Sequence, residues 1–144
     1  MSPTKSKKRV LFLCNENSCR SQMAEGFLRA LAPGMFEAYS AGTVATFVNP
    51  LAQALMAEEG VDISGQRSKS VSDFEGWEFD YVIAVCGGSE GETCPVFTGA
   101  AGARKAWGIG DPAAVWGTDS QIADAFREAR DEIRERVARF IEFM

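Results

Sequence analysis

Short apolar runs alternate along the chain with longer amphipathic stretches, and this pattern predicts the elements of the fold. The apolar runs predict buried strands at residues 10–13, 35–42 and 79–86, and a shorter fourth strand at residues 105–109. Strands that alternate with helices favour a single-domain α/β fold, a four-stranded parallel open sheet with helices on both faces. The predicted helices rest on apolar residues at helical spacing, which are Met23, Phe27, Ala30 and Leu31, then Leu51, Ala54 and Leu55, and finally Ile122, Phe126, Ala129, Ile133, Val137, Phe140 and Ile141.

Cap residues indicate where two of these helices begin. Asn49 is followed by Pro50, and proline suits the first position of a helix. Asp119 or Ser120 is expected to cap the last helix. A short helical start is also expected at residues 71–74.

Length and charge narrow the class of protein. With 144 residues, 46% of them hydrophobic, the chain is long enough for one domain with a proper core. We expect that domain at residues 8–144, after a flexible tail at residues 1–7. The net charge of -5, without a basic run beyond residues 5–9, argues against nucleic-acid binding. No apolar stretch is long enough to cross a membrane and no signal peptide is evident, so we expect a cytoplasmic protein.

Residues 14–20, here called the anion loop, join the first predicted strand to the first predicted helix. Backbone N–H groups of a short loop at the start of a helix converge on one point, where the helix dipole adds positive potential. Arg20 stands at the start of the helix, and its planar guanidinium can hold two oxygens of a tetrahedral anion. A cysteine, five residues and an arginine at this junction therefore predict an oxyanion site.

Cys14 ends the strand and lies in the same positive field. That field favours the thiolate, so we expect Cys14 to be a nucleophile facing the bound anion, with the Ser21 hydroxyl donating to it. The alternative is a structural cysteine buried at the end of a strand. The spacing from Cys14 to Arg20 favours catalysis over that alternative.

The other cysteines and the lack of histidine restrict the chemistry further. A chain without histidine cannot form a cysteine–histidine pair or a histidine-containing zinc site. An all-cysteine zinc site would require Cys14 and Cys19 to leave the anion loop, so we expect no metal. Cys86 ends the third predicted strand, and three glycines lie between it and Cys94, which indicates a segment that rearranges easily.

Asp111 is the candidate general acid. It follows the fourth predicted strand, and the carboxyl ends of parallel strands share one edge of the sheet, so we expect it near Cys14 and Cys86. There its carboxyl group can protonate the oxygen that leaves when a thiolate attacks a tetrahedral anion. A plain turn residue before Pro112 is the alternative interpretation.

Cys14, Arg20 and Ser21, with the later pair Asp111-Pro112, resemble the low-molecular-weight protein tyrosine phosphatase superfamily. Residues 14–25 resemble more closely its thioredoxin-coupled arsenate reductase branch. The resemblance extends over nearly the whole chain, through residues 39–42, 48–50, 62–64 and 107–108 and the pair of Cys86 and Cys94.

The resemblance implies reduction of arsenate to arsenite by three cysteines, a reaction of arsenic detoxification. Cys14 would attack arsenate held by the anion loop and Arg20, while Asp111 protonates the leaving oxygen. Cys86 would then attack Cys14 and release arsenite, and Cys94 would attack Cys86 to take over the disulfide. Reduced thioredoxin would reset the enzyme. We expect a monomer that needs no cofactor.

The same resemblance assigns the substrate-binding residues, which are Asn15, Glu16, Asn17, Ser18, Cys19, Arg20 and Ser21. Glu16 stands where glycine is common in the family, so its carboxylate must point away from the anion. Cys19 is not needed by the mechanism and is expected to be structural.

Lys69 marks a second departure from the family. Some relatives carry an aspartate there, which helps to bind a potassium ion together with residues that match Asn17, Glu25 and Ser40. The ammonium group of Lys69 can supply that positive charge itself. We therefore expect an enzyme that does not depend on potassium.

Two other classes of function are kept open. A hydrolase of phosphotyrosine or small phosphate esters would use Cys14, Arg20 and Asp111 alone and would tolerate the loss of Cys86 and Cys94. Weak phosphatase activity is expected even of a reductase, because phosphate and arsenate share shape and charge. A protein that only binds oxyanions, or only senses redox state, would keep the anion loop without turnover.

Overall fold

The structure, a computed structural model, describes residues 7–143. It has four strands, which are β1 (Lys8–Leu13), β2 (Phe36–Ala41), β3 (Phe79–Ala84) and β4 (Ala101–Ala106). Its three α-helices are α1 (Arg20–Leu31), α2 (Pro50–Glu58) and α3 (Asp119–Phe143), and two short 3₁₀ helices span Val71–Phe74 and Pro112–Ala114. The predicted flexible tail lies outside the described residues except for Lys7.

The sheet is entirely parallel, with the strand order β2-β1-β3-β4. β1 is central, and its register places Leu13 beside Ala41 of β2 and Ala84 of β3. Three strands therefore end side by side. The residues that follow them, among them Cys14 and Cys86, leave the sheet at the same edge.

Side chains of β1 alternate between two cores. Val10 and Phe12 face the larger core, to which all three α-helices contribute, while Leu11 and Leu13 face a smaller one. Phe74 of the first 3₁₀ helix and Phe97 close the smaller core. The α/β class and the four parallel strands are confirmed. One face of the sheet carries the α-helices, and a short 3₁₀ helix with aromatic side chains covers the other.

The fourth strand was predicted at residues 105–109, and this position is wrong. β4 runs from Ala101 to Ala106 at the edge of the sheet, where it pairs only with β3 and is largely exposed, so it lacks the apolar run of a buried strand. The apolar residues Trp107 and Ile109 lie beyond it. Their N–H groups donate to Ala84 O (2.8 Å) and Val85 O (3.1 Å), which keeps this part of the chain beside the end of β3.

Some predicted boundaries and faces also need correction. The apolar stripe of α1 does not include Ala30 and Leu31, which are exposed, because the last turn of the helix extends beyond the core. The second strand is Phe36–Ala41 rather than residues 35–42. The third ends at Ala84 rather than at residue 86, because its partner β1 ends at Leu13, the residue that pairs with Ala84.

The cap of α3 is Thr118 and not Asp119 or Ser120. Its hydroxyl accepts from Gln121 N (3.2 Å), and Gln121 Oε1 accepts from Thr118 N (2.8 Å), so the two residues form a capping box. The prediction for α2 is confirmed, since Asn49 Oδ1 accepts from Leu51 N (2.8 Å). Among the described residues, no helix is both long enough and apolar enough to span a membrane.

Candidate active site

The anion loop is fixed against the end of β2. Cys14 N donates to Ala41 O (3.2 Å), and Thr43 N donates to Asn15 O (2.8 Å). Gly42 packs so closely that a Cβ there would lie 2.7 Å from both Asn15 O and Asn17 N. Only a glycine allows this approach.

Asn17 organises the far side of the loop. Its backbone has a φ of 50°, a left-handed conformation that asparagine tolerates better than most residues. Its amide donates to Ser21 Oγ (2.8 Å), and its Oδ1 accepts from Gln22 Nε2 (2.8 Å) and from Lys69 N (2.7 Å). Asn17 and Ser21 are fully buried, so this network holds the curvature of the loop.

The concave side of the loop is free to bind a ligand. No hydrogen bond formed within residues 7–143 uses the backbone N–H of residues 15–19 as its donor. A cavity of about 340 Å³ opens there, and its lining includes Cys14, Arg20 and Asp111. Unpaired N–H groups at the start of α1 favour an anion.

Cys14 lies at the base of this cavity. It is 3% exposed, and its Sγ lies 2.7 Å from Ser21 Oγ. Because the Ser21 oxygen already accepts from Asn17, its own hydrogen is free to point at the sulfur. The Ser21 hydroxyl is therefore placed to donate to the Cys14 sulfur, as the sequence predicts.

Cys19 is a different kind of cysteine. It is buried, and burial, reinforced by the nearby Cys14 and Asp111, raises its pKa to about 12. The thiol therefore stays protonated at neutral pH and is a poor nucleophile. This is consistent with the structural role expected for Cys19.

Arg20 is 3% exposed, and hydrogen bonds join its guanidinium group to two other segments of the chain. Its Nη1 donates to Ile109 O (2.8 Å) and to Glu92 Oε1 (2.8 Å), and its Nη2 donates to Glu92 Oε2. Its Nε is buried and has no partner among the described residues. Burial on its own would lower the pKa of Arg20, but the hydrogen bonds to Glu92 and the negative charges of Cys14, Glu92 and Asp111 together raise it.

Glu92 is the main feature of the site that the sequence did not predict. Its carboxylate also accepts from Asn15 Nδ2 (2.8 Å) and from Gly87 N (2.9 Å). The hydrogen bonds from Arg20 are the largest cause of the lowered pKa of Glu92, so the group is charged at neutral pH. Its position between Cys86 and Cys94 placed it near the site, but no spacing pattern connects it with Arg20.

Asp111 lies at the rim of the cavity. One carboxylate oxygen, Oδ2, is 4.0 Å from Arg20 Nη2, while Oδ1 accepts from Ala113 N (2.9 Å) and caps the second 3₁₀ helix. The turn interpretation of Asp111 is confirmed. Asp111 also lines the same cavity as Cys14, so its role as general acid stays a prediction.

Residues 86–94, here called the redox segment, leave the sheet beside the anion loop. Val85 N donates to Leu13 O (2.8 Å), which keeps the ends of β1 and β3 together and places Cys86 next to the Cys14 strand. Cys86 is buried and forms a disulfide with Cys94, which is partly exposed. Cys14 and Cys19 are free. Gly87 and Gly91 have positive φ angles of 93° and 73°, which permit the tight path of the segment.

Glu25 and Lys69 lie behind the anion loop. Glu25 is buried and accepts from Ser40 Oγ (2.6 Å), while Lys69 Nζ lies 3.5 Å from Glu25 Oε1. Arg29 Nη1 lies 2.7 Å from the other carboxylate oxygen. Burial lowers the pKa of Lys69, and Glu25 opposes that shift. Two cations thus surround the Glu25 carboxylate.

Glu16 and Ser18 complete the predicted loop residues. Glu16 is exposed, and its backbone oxygen accepts from Thr46 Oγ1 (3.2 Å) and Ser68 Oγ (3.1 Å). Ser18 O accepts from Asn49 N (2.9 Å) at the start of α2. The structure therefore brings the predicted site residues to one edge of the sheet.

The comparison with known families agrees with this geometry. The profile of the family described as low molecular weight phosphotyrosine protein phosphatase matches residues 9–144.

Individual relatives and a solved structure cover nearly the whole chain. An arsenate reductase of Bacillus licheniformis is 42% identical over 137 residues, which are 95% of this chain and 97% of the relative. A protein of Synechocystis sp. named glutaredoxin arsenate reductase is 39% identical over 139 residues, 93% of this chain and 96% of the relative. A structure described as an arsenate reductase in the phosphate binding state has a TM-score of 0.77 at 38% identity, with coverage of 94% of this chain and 97% of the other.

Proposed function

Since the chain belongs to the low molecular weight phosphotyrosine protein phosphatase family, we propose that its oxyanion site serves the reduction of arsenate to arsenite. One observation carries this proposal. Cys86 and Cys94 form a disulfide directly beside the anion loop, and that loop holds a free cysteine, Cys14. Hydrolysis of a phosphate ester needs no such pair, whereas reduction needs two electrons from thiols.

Arsenate binds in the cavity above the anion loop. The unpaired backbone N–H groups and the positive end of α1 hold its oxygens, and Arg20 supplies the charge that balances the anion. The Cys14 thiolate, oriented by Ser21, then attacks arsenic. A sulfur–arsenic bond forms, one arsenic–oxygen bond breaks, and Asp111 gives a proton to the leaving oxygen, which departs as water.

Cys86 completes the reduction. Its thiolate attacks the Cys14 sulfur, and the electron pair of the sulfur–arsenic bond passes to arsenic, which leaves as arsenite. Arsenic gains two electrons, and the two sulfurs lose them as a Cys14–Cys86 disulfide forms. Because Cys14 and Cys86 follow neighbouring parallel strands, the fold holds the two groups close together.

Cys94 then transfers the disulfide away from the site. Its thiolate attacks Cys86, which frees Cys14 and leaves the Cys86–Cys94 disulfide found in the structure. Cys94 is partly exposed while Cys14 is buried, so the oxidised pair becomes accessible to a protein reductant. We assign that role to thioredoxin, acting on a cytoplasmic monomer. The name of the Synechocystis relative makes glutaredoxin the second candidate.

The deciding experiment follows arsenate-dependent NADPH oxidation with thioredoxin and thioredoxin reductase. We expect turnover by the wild type and none by Cys14→Ser, Cys86→Ser or Cys94→Ser. Replacing thioredoxin with glutaredoxin, glutathione and glutathione reductase tests the second reductant. Consumption that is the same without arsenate would contradict the proposal.

A phosphatase is the alternative function, because the family includes phosphotyrosine phosphatases. Hydrolysis of an aryl phosphate, measured in parallel, distinguishes the two. We expect weak hydrolysis that depends on Cys14 and Arg20 but survives the loss of Cys86 or Cys94. Strong hydrolysis without NADPH consumption would instead assign the site to phosphate esters.

A further inference from the structure

Glu92 joins the redox segment to the anion loop through one carboxylate. Its two oxygens accept from both terminal nitrogens of Arg20, from Asn15 Nδ2 and from Gly87 N. The side chain is only 9% exposed, and 72 residues of sequence separate it from Arg20. A carboxylate with this many donors is held firmly in place.

The hydrogen bonds of Arg20 show which edge of the guanidinium remains available. The group has five N–H donors in one plane. Nη1 uses both of its hydrogens, on Ile109 O and Glu92, and Nη2 uses one on Glu92. The Nε hydrogen and the second Nη2 hydrogen remain, and they lie on the same edge. Nε is buried without a partner among the described residues, so this edge forms a two-pronged donor without an acceptor.

Glu92 does not occupy the anion position itself. No hydrogen bond within residues 7–143 connects its carboxylate to a backbone N–H of residues 15–19, and those groups stay unpaired. The carboxylate instead binds the Nη1 and Nη2 edge of Arg20, which leaves the Nε and Nη2 edge without a hydrogen-bond acceptor among residues 7–143. Arg20 lines the cavity together with Asp111, whose Oδ2 lies 4.0 Å from Arg20 Nη2.

We infer that Glu92 is a positioning residue, which fixes the Arg20 guanidinium so that its Nε–H and Nη2–H edge faces the bound oxyanion. The inference rests on the proposed oxyanion site. It adds a residue of the redox segment to the machinery that binds the anion. A carboxylate beside an anion site repels the anion, so positioning must outweigh that repulsion.

Phosphate binding to the Cys86–Cys94 disulfide form, measured by calorimetry, tests this inference. Inorganic phosphate is the probe, because it has the shape of arsenate and no redox chemistry with thiols. E92A removes the carboxylate, and E92Q removes its charge while keeping its size. E90Q is the matched control, since Glu90 is an exposed glutamate of the same segment. R20K reports whether phosphate occupies the proposed site.

Positioning and simple charge repulsion predict opposite changes in phosphate affinity when Glu92 is replaced. If Glu92 positions Arg20, E92A binds phosphate about tenfold or more weakly, E92Q falls between E92A and the wild type, and E90Q matches the wild type. If Glu92 only repels the anion, E92A and E92Q bind more tightly, and the inference is overturned. Unchanged binding in both Glu92 variants also overturns it. If E92A does not fold, the E92Q and E90Q pair decides the question.

The Nε–H signal of Arg20 in a ¹⁵N NMR spectrum gives a readout that a merely structural role would not move. Phosphate should shift this signal in the wild type and in E90Q, and should shift it less in E92Q. The R20K variant distinguishes a failure of the proposed oxyanion site from a failure of the positioning role of Glu92. If R20K binds phosphate like the wild type, the proposed oxyanion site fails. If R20K loses binding while the Glu92 variants keep it, only the positioning role fails.

Discussion

The anion loop and the redox segment lie side by side but are built in opposite ways. The anion loop is held by backbone hydrogen bonds to the end of β2, by the Asn17 network and by contact with Gly42. The redox segment contains glycines with positive φ, its disulfide only closes the segment on itself, and its contact with the anion loop is made by the Glu92 side chain. An oxyanion site requires fixed donors, whereas a cysteine that serves two partners in turn requires a segment that can rearrange.

The largest effect should come from breaking the relay in the redox segment. With arsenate and no reductant, we expect C94S to release a single equivalent of arsenite and stop with Cys14 joined to Cys86. C86S should release none, because no thiol is then placed to attack Cys14. Arsenite measured after rapid mixing, with mass spectrometry of the disulfides, checks both variants. Equal release by the two variants would refute the order of the relay.

A methyl group added beneath the anion loop, at Gly42, should have the next largest effect. In Gly42→Ala the new Cβ would lie 2.7 Å from two backbone atoms of the loop, so the loop must shift. We expect destabilisation of roughly 1–3 kcal/mol and weaker arsenate binding.

Gly34→Ala is the control for Gly42→Ala, because no atom lies within 4 Å of a Cβ at Gly34. Denaturant unfolding and the KM for arsenate give the comparison. Equal behaviour of the two variants would show that the loop is less rigid than its contacts indicate.

A smaller effect should appear in the pH dependence of stability. Arg20 holds the pKa of Glu92 below its ordinary value, so this ion pair stabilises the fold fully above the pKa of an unfolded glutamate, near ~4.3. The contribution is lost as the pH falls through the lower folded pKa. The stability difference between the wild type and E92Q should therefore be largest at neutral pH and vanish in acid.

Melting temperatures between neutral pH and pH ~3 test the Glu92 contribution. E90Q removes the same charge from the same segment and should show a much smaller difference from the wild type. A constant difference between wild type and E92Q across this range would contradict the assignment of the ion pair.

The smallest effect expected is that of potassium. Glu25 already has Lys69 and Arg29 beside its carboxylate, so little negative charge remains for a further cation. Melting temperature and turnover should be the same in potassium and sodium chloride of equal ionic strength. In Lys69→Asp we expect potassium to raise the melting temperature more than sodium does. A potassium-specific gain in the wild type would show that Lys69 does not replace the ion.

The sequence predicted two kinds of site residue, namely those close together in the chain and those that directly follow predicted strands, such as Cys86 and Asp111. Cys14, Arg20 and Ser21 are fixed relative to one another by one loop and one helix turn, so their spacing carries their geometry. Glu92 was not predictable, because its pairing with Arg20 depends on how a glycine-containing segment folds back over 72 residues.

The same distinction explains the errors in the fold. The central strands carry apolar runs because both of their faces are buried, and their positions could be predicted closely. β4 is an exposed edge strand whose residues show no such run. Its strand conformation comes from pairing with β3, which is a tertiary effect.

Cys94 is partly exposed while Cys14 is buried, so recognition of the protein reductant and recognition of the oxyanion can evolve independently. In the proposed relay the disulfide is transferred from Cys14 to the more exposed Cys94 before the protein reductant reacts with it. The redox partner then never has to recognise the oxyanion, and the oxyanion cavity never has to admit a protein. A change of electron donor in the course of evolution would require new residues only around Cys94, while the arsenate cavity stays as it is.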